Sequence, residues 1–333
     1  MKTAQKIAPT VTTVPTGTAI SVRDLRQRYG DFEAVRGISF DVAQGELFAL
    51  LGTNGAGKTT TIDTLGGFRR PSGGTVRVFG HDPYGQPAEL RARMNAVLQR
   101  SGVFDELTVA ETTDLACDLA ARPRPRDEVL EMVHLNDQAD VPVRQLSGGQ
   151  KRRLDLALAI TSRPDVLFLD EPTAGMDPEI RYATWELIGD LVDEGVTVLL
   201  TTHYLEEAER LAQRLAIMHH GEIKVAGTLG HVLAGWGDRI RFRMPDQVRS
   251  DALPELPAAT CSVEVRKGRP WVTYTVSHDD SAGRAHHAMQ ALLAWADRHR
   301  LTLERLEARG ASLEDVFLTV ANGASVADLG SNR

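Results

Sequence analysis

The sequence predicts an α/β protein with a parallel central sheet, followed by a small α+β C-terminal domain. Strands buried on both faces, as in parallel sheets, are predicted by three short apolar runs: Leu47–Leu51, Val166–Asp170 and Val196–Thr202. Helical spacing at Pro178–Val192 separates two of these runs, and such alternation indicates a parallel sheet. After about Gly227 apolar and polar residues alternate instead, which is typical of strands with one exposed face.

The remaining elements follow from the same two periodicities. Alternating or uniformly apolar runs predict strands, and apolar residues three or four positions apart predict helices. The further strands predicted in this way are Ile20–Gln27, Val35–Val42, Thr75–Phe79, Leu215–Met218, Arg239–Met244, Cys261–Arg266, Trp271–Val276 and Leu301–Glu307. The further helices are Val109–Ala121, Asp127–His134, Leu146–Ile160, Tyr204–Arg214, Ala285–Arg300 and Leu313–Val320.

These elements divide the chain into two domains and two tails. The first domain covers residues 19–227 and includes a mostly helical subdomain at about 100–160. The second, a small α+β domain with an expected role in regulation or dimerisation, covers residues 228–322. Residues 1–18 are rich in Thr and contain no acidic residue, and they are expected to form a disordered tail, with a second tail at 323–333.

The composition limits the classes of function. The chain has 333 residues, of which 42% are apolar, enough for one or two buried cores. Its formal net charge is −7, whereas nucleic-acid-binding proteins usually have a basic excess, so we expect no nucleic acid partner. The two cysteines, Cys117 and Cys261, are too few for a disulfide framework or a cysteine-based zinc site.

The sequence pattern also argues against a membrane span and a signal peptide. A spanning helix needs about 20 mostly apolar residues, and the apolar runs here have the length of strands. The N-terminal residues are interrupted by Pro9 and Pro15, whereas a signal peptide needs an unbroken apolar segment. We therefore expect any membrane role to depend on a partner protein.

The first motif that indicates chemistry is Gly52–Thr59, which reads GTNGAGKT. It matches G-x-x-x-x-G-K-[ST] and lies between a buried strand and a helix, the context that a phosphate-binding loop requires. Glycines allow backbone N–H groups to surround phosphate oxygens, and the helix N-terminus adds partial positive charge. Lys58 can reach the β- and γ-phosphates, and the Thr59 hydroxyl can ligate Mg²⁺. A glycine-rich turn without a ligand is the alternative that this spacing disfavours.

The second motif consists of two carboxylates directly after a buried strand, Asp170 and Glu171. Ligands of parallel sheets bind at the carboxyl ends of the strands. Asp170 is expected to hold Mg²⁺ through water, and Glu171 to polarise an attacking water as general base. Alone, such a pair is more typical of a strand-to-loop boundary. Together with the loop Gly52–Thr59 it indicates a hydrolytic site.

The third motif is Leu146–Gln150, which reads LSGGQ and opens a helix. Either Ser147 caps this helix and the glycines form a tight turn, or the helix start binds an anion. The loop Leu146–Gln150 and the loop Gly52–Thr59 would approach the γ-phosphate from opposite sides. This favours a two-fold dimer in which each chain completes the other's site. The run Lys151–Arg153 is interpreted as a solvated helix start, with proximity to the partner's nucleotide as the alternative.

The order of these motifs, followed by a lone histidine after the next strand, resembles the nucleotide-binding domain of an ABC transporter. The residues are Lys58, Ser147, Asp170, Glu171 and His203, and the resemblance covers about residues 19–227. It implies a P-loop NTPase fold, the ABC cassette with its helical subdomain, and hydrolysis of MgATP. The family often has Pro where this chain has Thr53, a difference on which the backbone conformation does not depend.

The resemblance also implies roles for single residues. Tyr29 would stack on adenine, His203 would contact the γ-phosphate, and Gln99, after the Val97–Leu98 strand, would sense Mg²⁺ and touch the membrane partner. From the residues alone, Tyr29 could be a strand-edge aromatic, Gln99 a solvated loop residue and His203 structural. Nucleotide contacts are implied for Tyr29, Gly52, Thr53, Asn54, Gly55, Ala56, Gly57, Lys58, Thr59, Thr60, Gln99, Ser147, Gly148, Gly149, Gln150 and Asp177. Metal contacts are implied for Thr59, Gln99 and Asp170, and catalytic roles for Lys58, Glu171 and His203.

The chain resembles a transporter subunit more than other ABC ATPases. Fewer than ninety residues separate Lys58 from Leu146, too few for the coiled coils or zinc modules of chromosome-maintenance relatives. The chain contains one phosphate-binding loop and one LSGGQ motif, and therefore one cassette. The segment Ala311–Leu318 resembles the daunorubicin/multidrug-resistance export subfamily, although it could simply pack Val316–Leu318 into a small core.

This subfamily resemblance implies a homodimer that drives a separate integral-membrane permease at the cytoplasmic face of a bacterial membrane. It also implies export of drugs, antibiotics or lipid-like compounds. The alternatives are import, a non-transport ATPase acting on a soluble partner, and an ATPase whose C-terminal domain has a regulatory output.

Overall fold

The computed structural model describes residues 17–85, 88–99, 102, 104–234, 236–245, 247–266, 268–276 and 283–321. The tail predicted at 323–333, and all but the last two residues of the tail predicted at 1–18, lie outside the described residues. The chain divides into two compact units, Met1–Ala226 and Gly227–Arg333, and each is described by itself.

The first unit combines strands and helices in the alternation that the sequence predicts. Its strands are β1 (Thr18–Tyr29), β2 (Phe32–Ala43), β3 (Leu47–Gly52), β4 (Gly73–Val78), β5 (Met94–Val97), β6 (Val166–Asp170), β7 (Thr197–Thr202), β8 (Arg214–His219) and β9 (Glu222–Thr228), the last of which continues into the second unit. Its helices are α1 (Lys58–Leu65), α2 (Ala88–Arg91), α3 (Val109–Leu119), α4 (Arg126–Met132), α5 (Gly148–Thr161), α6 (Pro178–Asp193) and α7 (Leu205–Leu211). Short 3₁₀ turns occur at Asn136–Gln138 and Val143–Gln145.

The central sheet has the strand order β5-β6-β7-β3-β8-β9. The strands from β5 to β8 pair in parallel, with Asp170 opposite Thr201 and Leu51 opposite Thr202. The carboxyl ends of β6, β7 and β3 therefore lie side by side at one edge. This edge collects the loops that follow the three strands.

Both faces of the sheet are covered, which explains the uninterrupted apolar runs of β3, β6 and β7. Because side chains alternate along a strand, Leu167 and Leu169 of β6 pack in the core that contains residues of α4 and α5. Val166 and Phe168 point to the other face, toward the core shared with the antiparallel sheet β2-β1-β4. Phe40 of that sheet stacks on Phe48 of β3, with ring centroids 5.1 Å apart.

The structure differs from the predicted elements at several places. The helix predicted at Tyr204–Arg214 ends at Leu211, because Arg214 already pairs with Phe48 at the start of β8. The strand predicted at Leu301–Glu307 lies later in the chain, at Glu304–Arg309. Helix α2, with four residues, is too short for its periodicity to be recognised, and β9 alternates between partly buried and exposed residues.

The second unit is built on an antiparallel sheet. Its elements are α8 (Leu229–Ala234), β10 (Asp238–Arg243), β11 (Ala259–Arg266), β12 (Arg269–Val276), α9 (Arg284–Arg298), β13 (Glu304–Arg309) and α10 (Leu313–Ala321), with a 3₁₀ turn at Ser250–Ala252. The strand order is β11-β12-β10-β13. Leu292 and Trp295 of α9 pack with Phe242 and Tyr274 in the core of this unit.

A buried carboxylate anchors the start of α10. Asp315 lies 2.6 Å from Arg239 of β10 and 3.0 Å from Arg309 of β13, so the helix is tied to two strands. The alternative interpretation of this segment placed Val316–Leu318 in a small core. Val316 is buried, but Leu318 is exposed, so that interpretation is wrong for Leu318. The turn of the helix directs residue 318 away from the face that carries residues 313, 316 and 320.

The core of the second unit predicts that replacing two adjacent leucines of α9 has different effects on the free energy of unfolding. Leu292 is fully buried, whereas Leu293 is 43% exposed. Replacement of Leu292 by Ala should lower the free energy of unfolding by about 2–5 kcal/mol, because it removes packed methyl groups and leaves a cavity. Leu293→Ala is the matched control and should change it by less than about 0.5 kcal/mol. Urea denaturation followed by tryptophan fluorescence measures both, and equal losses would contradict the assigned core.

Candidate active site

The loop Gly52–Thr59 connects the end of β3 to the start of α1. Gly57 precedes α1 with a φ of 104°, in the left-handed region that favours glycine. At Gly52 a Cβ atom would lie 2.7 Å from the carbonyl oxygen of Met218, too close for any side chain. The backbone therefore follows a path that requires glycine, and it presents N–H groups at a helix start, where anions bind.

The side chain of Lys58 is buried against this loop. Its Nζ donates hydrogen bonds to the carbonyl oxygens of Gly52 at 2.7 Å and Thr53 at 3.3 Å. Burial lowers the pKa of Lys58, and the negative charges of Glu171 and Asp170 act in the opposite direction. The ammonium group thus lies within electrostatic reach of both carboxylates and is held at the loop that would cradle phosphates.

Asp170 ends β6 and is fully buried. Its Oδ1 accepts a hydrogen bond from the hydroxyl of Thr201 on β7. Among the described residues, its Oδ2 has no hydrogen-bond partner. A buried carboxylate oxygen is costly unless something satisfies it, and oxygen atoms are the ligands that Mg²⁺ prefers. Asp170 therefore fits a magnesium site, to which Thr59, the second residue of α1, would add a hydroxyl ligand.

Glu171 follows directly, with a backbone conformation that non-glycine residues rarely adopt. Its φ is 52°, and its N–H donates a hydrogen bond of 2.9 Å to the carbonyl oxygen of Thr201. Its Oε1 lies 3.3 Å from Nδ1 of His203, the residue after β7. The parallel register of β6 and β7 thus brings together the two residues that the sequence analysis assigned to water activation and γ-phosphate contact.

Two other predicted residues also lie near this edge. The Tyr29 hydroxyl is 3.4 Å from Oγ1 of Thr60 on α1, and the Arg69 guanidinium lies 4.5 Å from the centre of the Tyr29 ring. Tyr29 is thus beside the phosphate-binding loop with a partly exposed ring. Gln99 is exposed and follows β5, the strand next to β6. Both positions are compatible with the roles implied for them.

The second set of predicted residues surrounds the start of α5. Ser147 caps this helix: its hydroxyl accepts a hydrogen bond of 3.2 Å from the Gln150 N–H, and its own N–H donates one to Gln150 Oε1. Gly149 lies beside the backbone of Gly175 and Met176. Asp177 caps α6 through a hydrogen bond of 3.0 Å from the Ile180 N–H. The LSGGQ corner and the segment ending at Asp177 therefore form one surface.

The interpretation of Lys151–Arg153 as a solvated helix start is wrong for Arg152. Its side chain is buried, and its guanidinium donates hydrogen bonds to the backbone carbonyls of Leu98, Asp170 and Glu171. A run of three basic residues on an α-helix is normally solvated, but consecutive positions point about 100° apart. The sequence signal that could have singled out residue 152 is the helical spacing of the apolar residues Leu156 and Ile160, four and eight positions later.

A buried carboxyl that the sequence analysis missed lies behind the site. Glu207 of α7 accepts hydrogen bonds from Thr173 at 3.0 Å and from Trp185 at 2.9 Å. Burial raises the pKa of Glu207, and hydrogen bonds from Thr202, Trp185 and Thr173 act in the opposite direction. Glu207 therefore joins the segment after β6, helix α6 and the end of β7.

Comparisons with known proteins agree with this geometry. Residues 35–174 match the family described as ABC transporter, and residues 238–312 match the ABC transporter domain-containing protein-like C-terminal domain. The chain is 38% identical over 309 residues to the daunorubicin/doxorubicin resistance ATP-binding protein DrrA of Streptomyces peucetius, which covers 91% of this chain and 92% of that protein. The chain belongs to the ATP-binding subunits of ABC transporters. The predicted resemblance to the daunorubicin-resistance subfamily is thereby confirmed, and with it an ATPase activity.

Another relative has an export function in its name. The chain is 36% identical over 312 residues to a Nod factor export ATP-binding protein I of Paraburkholderia xenovorans, which covers 90% of this chain and 96% of that protein. Among solved structures, an ATP-binding subunit of an ABC transporter superposes with a TM-score of 0.59 and 30% identity, over 65% of this chain and 92% of the other. A dimeric bacterial ABC transporter cassette has a TM-score of 0.58 at 24% identity, over 63% and 98% of the two chains, and shares the fold. The predicted α/β cassette fold is confirmed.

The structure also bears on membrane insertion and on metal clusters. Over the described part of the chain, no helix has both the length and the apolar character that crossing a membrane requires. Within the same residues, no three His, Cys, Asp or Glu side chains are grouped so that they could hold a metal ion. The metal site predicted here has a different composition, with one carboxylate from Asp170, one hydroxyl from Thr59 and one carboxamide from Gln99.

The buried Glu207 predicts a pH-dependent difference in stability. Its folded-state pKa is raised above the ordinary value of 4.5, so the folded protein holds this proton more tightly than the unfolded chain does. As pH rises from 4.5 through the raised pKa, the wild type should therefore lose stability relative to the Glu207→Gln variant, which has no proton to lose. Urea denaturation of both proteins over this pH range measures the difference. A stability difference that is independent of pH would contradict the burial of an ionisable carboxyl here.

Proposed function

We propose that this chain is the ATP-hydrolysing subunit of an exporter, that it dimerises around two MgATP, and that it drives a separate membrane permease. The names of its relatives, daunorubicin/doxorubicin resistance and Nod factor export, support export of drug-like or lipid-like compounds. The observation that carries the hydrolytic assignment is the juxtaposition of Glu171, His203 and Asp170 at one sheet edge. In the part of the chain that the structure describes, the Oδ2 of Asp170 has no hydrogen-bond partner.

Glu171 is the proposed general base, and the surrounding groups hold and orient it. Its carboxylate faces His203 at 3.3 Å, and its backbone is held by the carbonyl of Thr201. Lys58 supplies positive charge at the phosphate-binding loop, which stabilises the charge that develops on the transferred phosphoryl group. His203 orients the carboxylate and, being 40% exposed in its side chain, can also contact a bound γ-phosphate.

Asp170 and Thr59 are the proposed magnesium-binding residues. The Oδ2 of Asp170 can accept a hydrogen bond from a water bound to the metal, while Oδ1 stays fixed by Thr201. When bound, Mg²⁺ neutralises charge on the phosphate oxygens. Gln99, at the end of the strand next to β6, is the third proposed metal contact.

The proposed dimer rests on the exposed start of α5. Ser147 and Gly148 are exposed, and the first N–H groups of a helix lack partners within the helix, so they can bind an anion brought by a second chain. One structural relative, the bacterial cassette of the same fold, is described as dimeric. A dimer in which this corner faces the partner's Lys58 would use both of the loops that the sequence singles out.

The proposed permease contact lies on the helical part of the first unit. Leu115 and Leu119 are one turn apart on α3 and are 40% and 81% exposed, and nearby in the sequence Phe104 is 62% exposed. Exposed large apolar side chains that share one helix face, as Leu115 and Leu119 do, mark protein contacts. We assign this face to the cytoplasmic surface of the permease, which would place the chain at the membrane.

The assignment of Glu171 predicts a separation of binding from hydrolysis. Glu171→Gln should lower kcat for ATP hydrolysis by about 10²–10⁴-fold, since a general base contributes that much. ATP binding should persist, and an ATP-bound dimer should accumulate because hydrolysis no longer opens it. Turnover assays and size-exclusion chromatography with ATP measure both effects. Glu206→Gln, which alters an exposed carboxylate bonded to Tyr182, is the control, and near-normal turnover of Glu171→Gln would overturn the assignment.

The permease assignment predicts a loss of membrane association. Leu119→Asp places a charge on the proposed contact and should reduce co-sedimentation with membranes that contain the cognate permease by at least about tenfold, which corresponds to roughly 1.4 kcal/mol. Nucleotide binding by the isolated chain should be unaffected. Leu293→Asp, a substitution at a similar exposed leucine of α9, is the control. Full membrane association of Leu119→Asp would exclude this face as the contact.

A further inference from the structure

Arg152 lies in the first turns of α5, two residues after the LSGGQ corner. Its side chain reaches away from that corner into the protein, where only 8% of the residue remains exposed. Nη1 donates a hydrogen bond to the carbonyl oxygen of Leu98, and Nη2 donates to the carbonyl oxygens of Asp170 and Glu171, the latter at 3.1 Å. One guanidinium therefore binds the backbone of three residues from two other segments.

The buried charge of Arg152 is compensated by carboxylates around it, and its hydrogen bonds require carbonyl partners in matching directions. Burial lowers the pKa of Arg152, and the negative charges of Asp155, Asp170, Glu171 and Glu207 act in the opposite direction. A guanidinium is planar and presents its donors in a fixed fork, so its carbonyl partners must lie in matching directions. A lysine in the same position could not hold all three carbonyls with the same geometry.

The contact with Glu171 acts on a residue whose backbone is strained. Glu171 has a φ of 52°, a conformation that persists only when its surroundings hold it. Its N–H is held by the carbonyl of Thr201, and its carbonyl is held by Arg152. These two hydrogen bonds fix the peptide groups on either side of the Glu171 Cα, and with them the direction in which its carboxylate projects.

The contact with Leu98 extends the same arrangement to a second segment. Leu98 immediately precedes Gln99, so the guanidinium that holds Glu171 also holds the start of the segment that carries the proposed magnesium contact. Arg152 thereby connects three parts of the site: the helix that begins at the LSGGQ corner, the end of β6 and the end of β5.

We infer that Arg152 is a positioning residue that holds Glu171 and the Leu98–Gln99 segment in register with the start of α5. A displacement of the LSGGQ corner would thus be transmitted to the catalytic carboxylate of the same chain through backbone hydrogen bonds. The guanidinium of Arg152 is bonded to backbone carbonyls, so its effect on the reaction would be exerted through Glu171. The inference rests on the proposed role of Glu171 as general base.

The test compares kcat, KM and stability in variants of the full chain. Arg152→Met removes all three hydrogen bonds at similar length and should lower kcat for ATP at least about tenfold, since small displacements of catalytic groups have effects of that size or larger. KM for ATP should change by less than about twofold, because Arg152 does not contribute to binding. Arg152→Lys keeps the charge and some of the donors, so it should recover part of kcat. If Arg152→Met does not fold, Arg152→Lys with a lowered kcat and a near-normal melting temperature carries the test.

Arg124→Met is the matched control for stability. Arg124 is also buried, but its guanidinium contacts Glu128 and Glu194 rather than the site. Arg124→Met should lower the melting temperature about as much as Arg152→Met does and leave kcat within about twofold of wild type. A decrease of kcat in both variants in proportion to their loss of stability would assign Arg152 a merely structural role and overturn the inference.

The outcome for Glu171→Gln separates this inference from the proposed function. If Glu171→Gln abolishes turnover while Arg152→Met leaves kcat unchanged, the positioning role is wrong and the general base stands. If Glu171→Gln retains turnover, the proposed function itself fails, whatever Arg152→Met shows. An increase of KM in Arg152→Met without a decrease of kcat would indicate nucleotide binding instead and would also overturn the inference.

Discussion

The parallel pairing of β6, β7 and β3 is the constraint on which the rest of the protein depends. Their register places the ends of all three strands at one edge. The phosphate-binding loop, the two carboxylates and His203 each lie at the end of one of these strands, so they lie close together. The same pairing requires that both faces be covered, because a parallel sheet of apolar strands is stable only when buried. The helices and the antiparallel sheet that cover it are therefore as necessary to the site as the residues within it.

Charges buried behind this edge stabilise one another. Burial lowers the pKa of both Lys58 and Arg152, and in each case the carboxylates of Asp170 and Glu171 oppose the effect. In a region of low dielectric constant such compensation is strong, and removal of one member leaves an uncompensated charge. The buried charges therefore hold one another in place, and fixed charges of this kind can stabilise the charge on a triphosphate.

Features of this protein could be predicted from the sequence where the residues that determine them are adjacent in the chain. The loop Gly52–Thr59 and the strand ending at Asp170 were recognisable because their physics lies in adjacent residues. Arg152 was misinterpreted as solvated because its partners are more than 50 residues away at Leu98 and 18 away at Asp170, and a basic run predicts exposure by itself. The alternative interpretation that packs Leu318 into a core is wrong for a related reason: which face of α10 is covered depends on strands elsewhere in the second unit. Glu207 gave no signal, since burial of a carboxyl depends on tertiary packing.

The hydrogen bond from Arg152 is strong enough to matter for the strained conformation of Glu171. A left-handed conformation at a non-glycine residue costs about 1–3 kcal/mol. A hydrogen bond to a charged group contributes about 1.5–3 kcal/mol, so the bond from Arg152 is of the same size as the strain it opposes. Hydrogen bonds weaken steeply with misalignment, and a displacement of the start of α5 by a fraction of an ångström would therefore be enough to change the balance. The strained residue and its charged donor thus connect the start of α5 to the proposed catalytic carboxylate, which makes the position of the LSGGQ corner part of the geometry of the site.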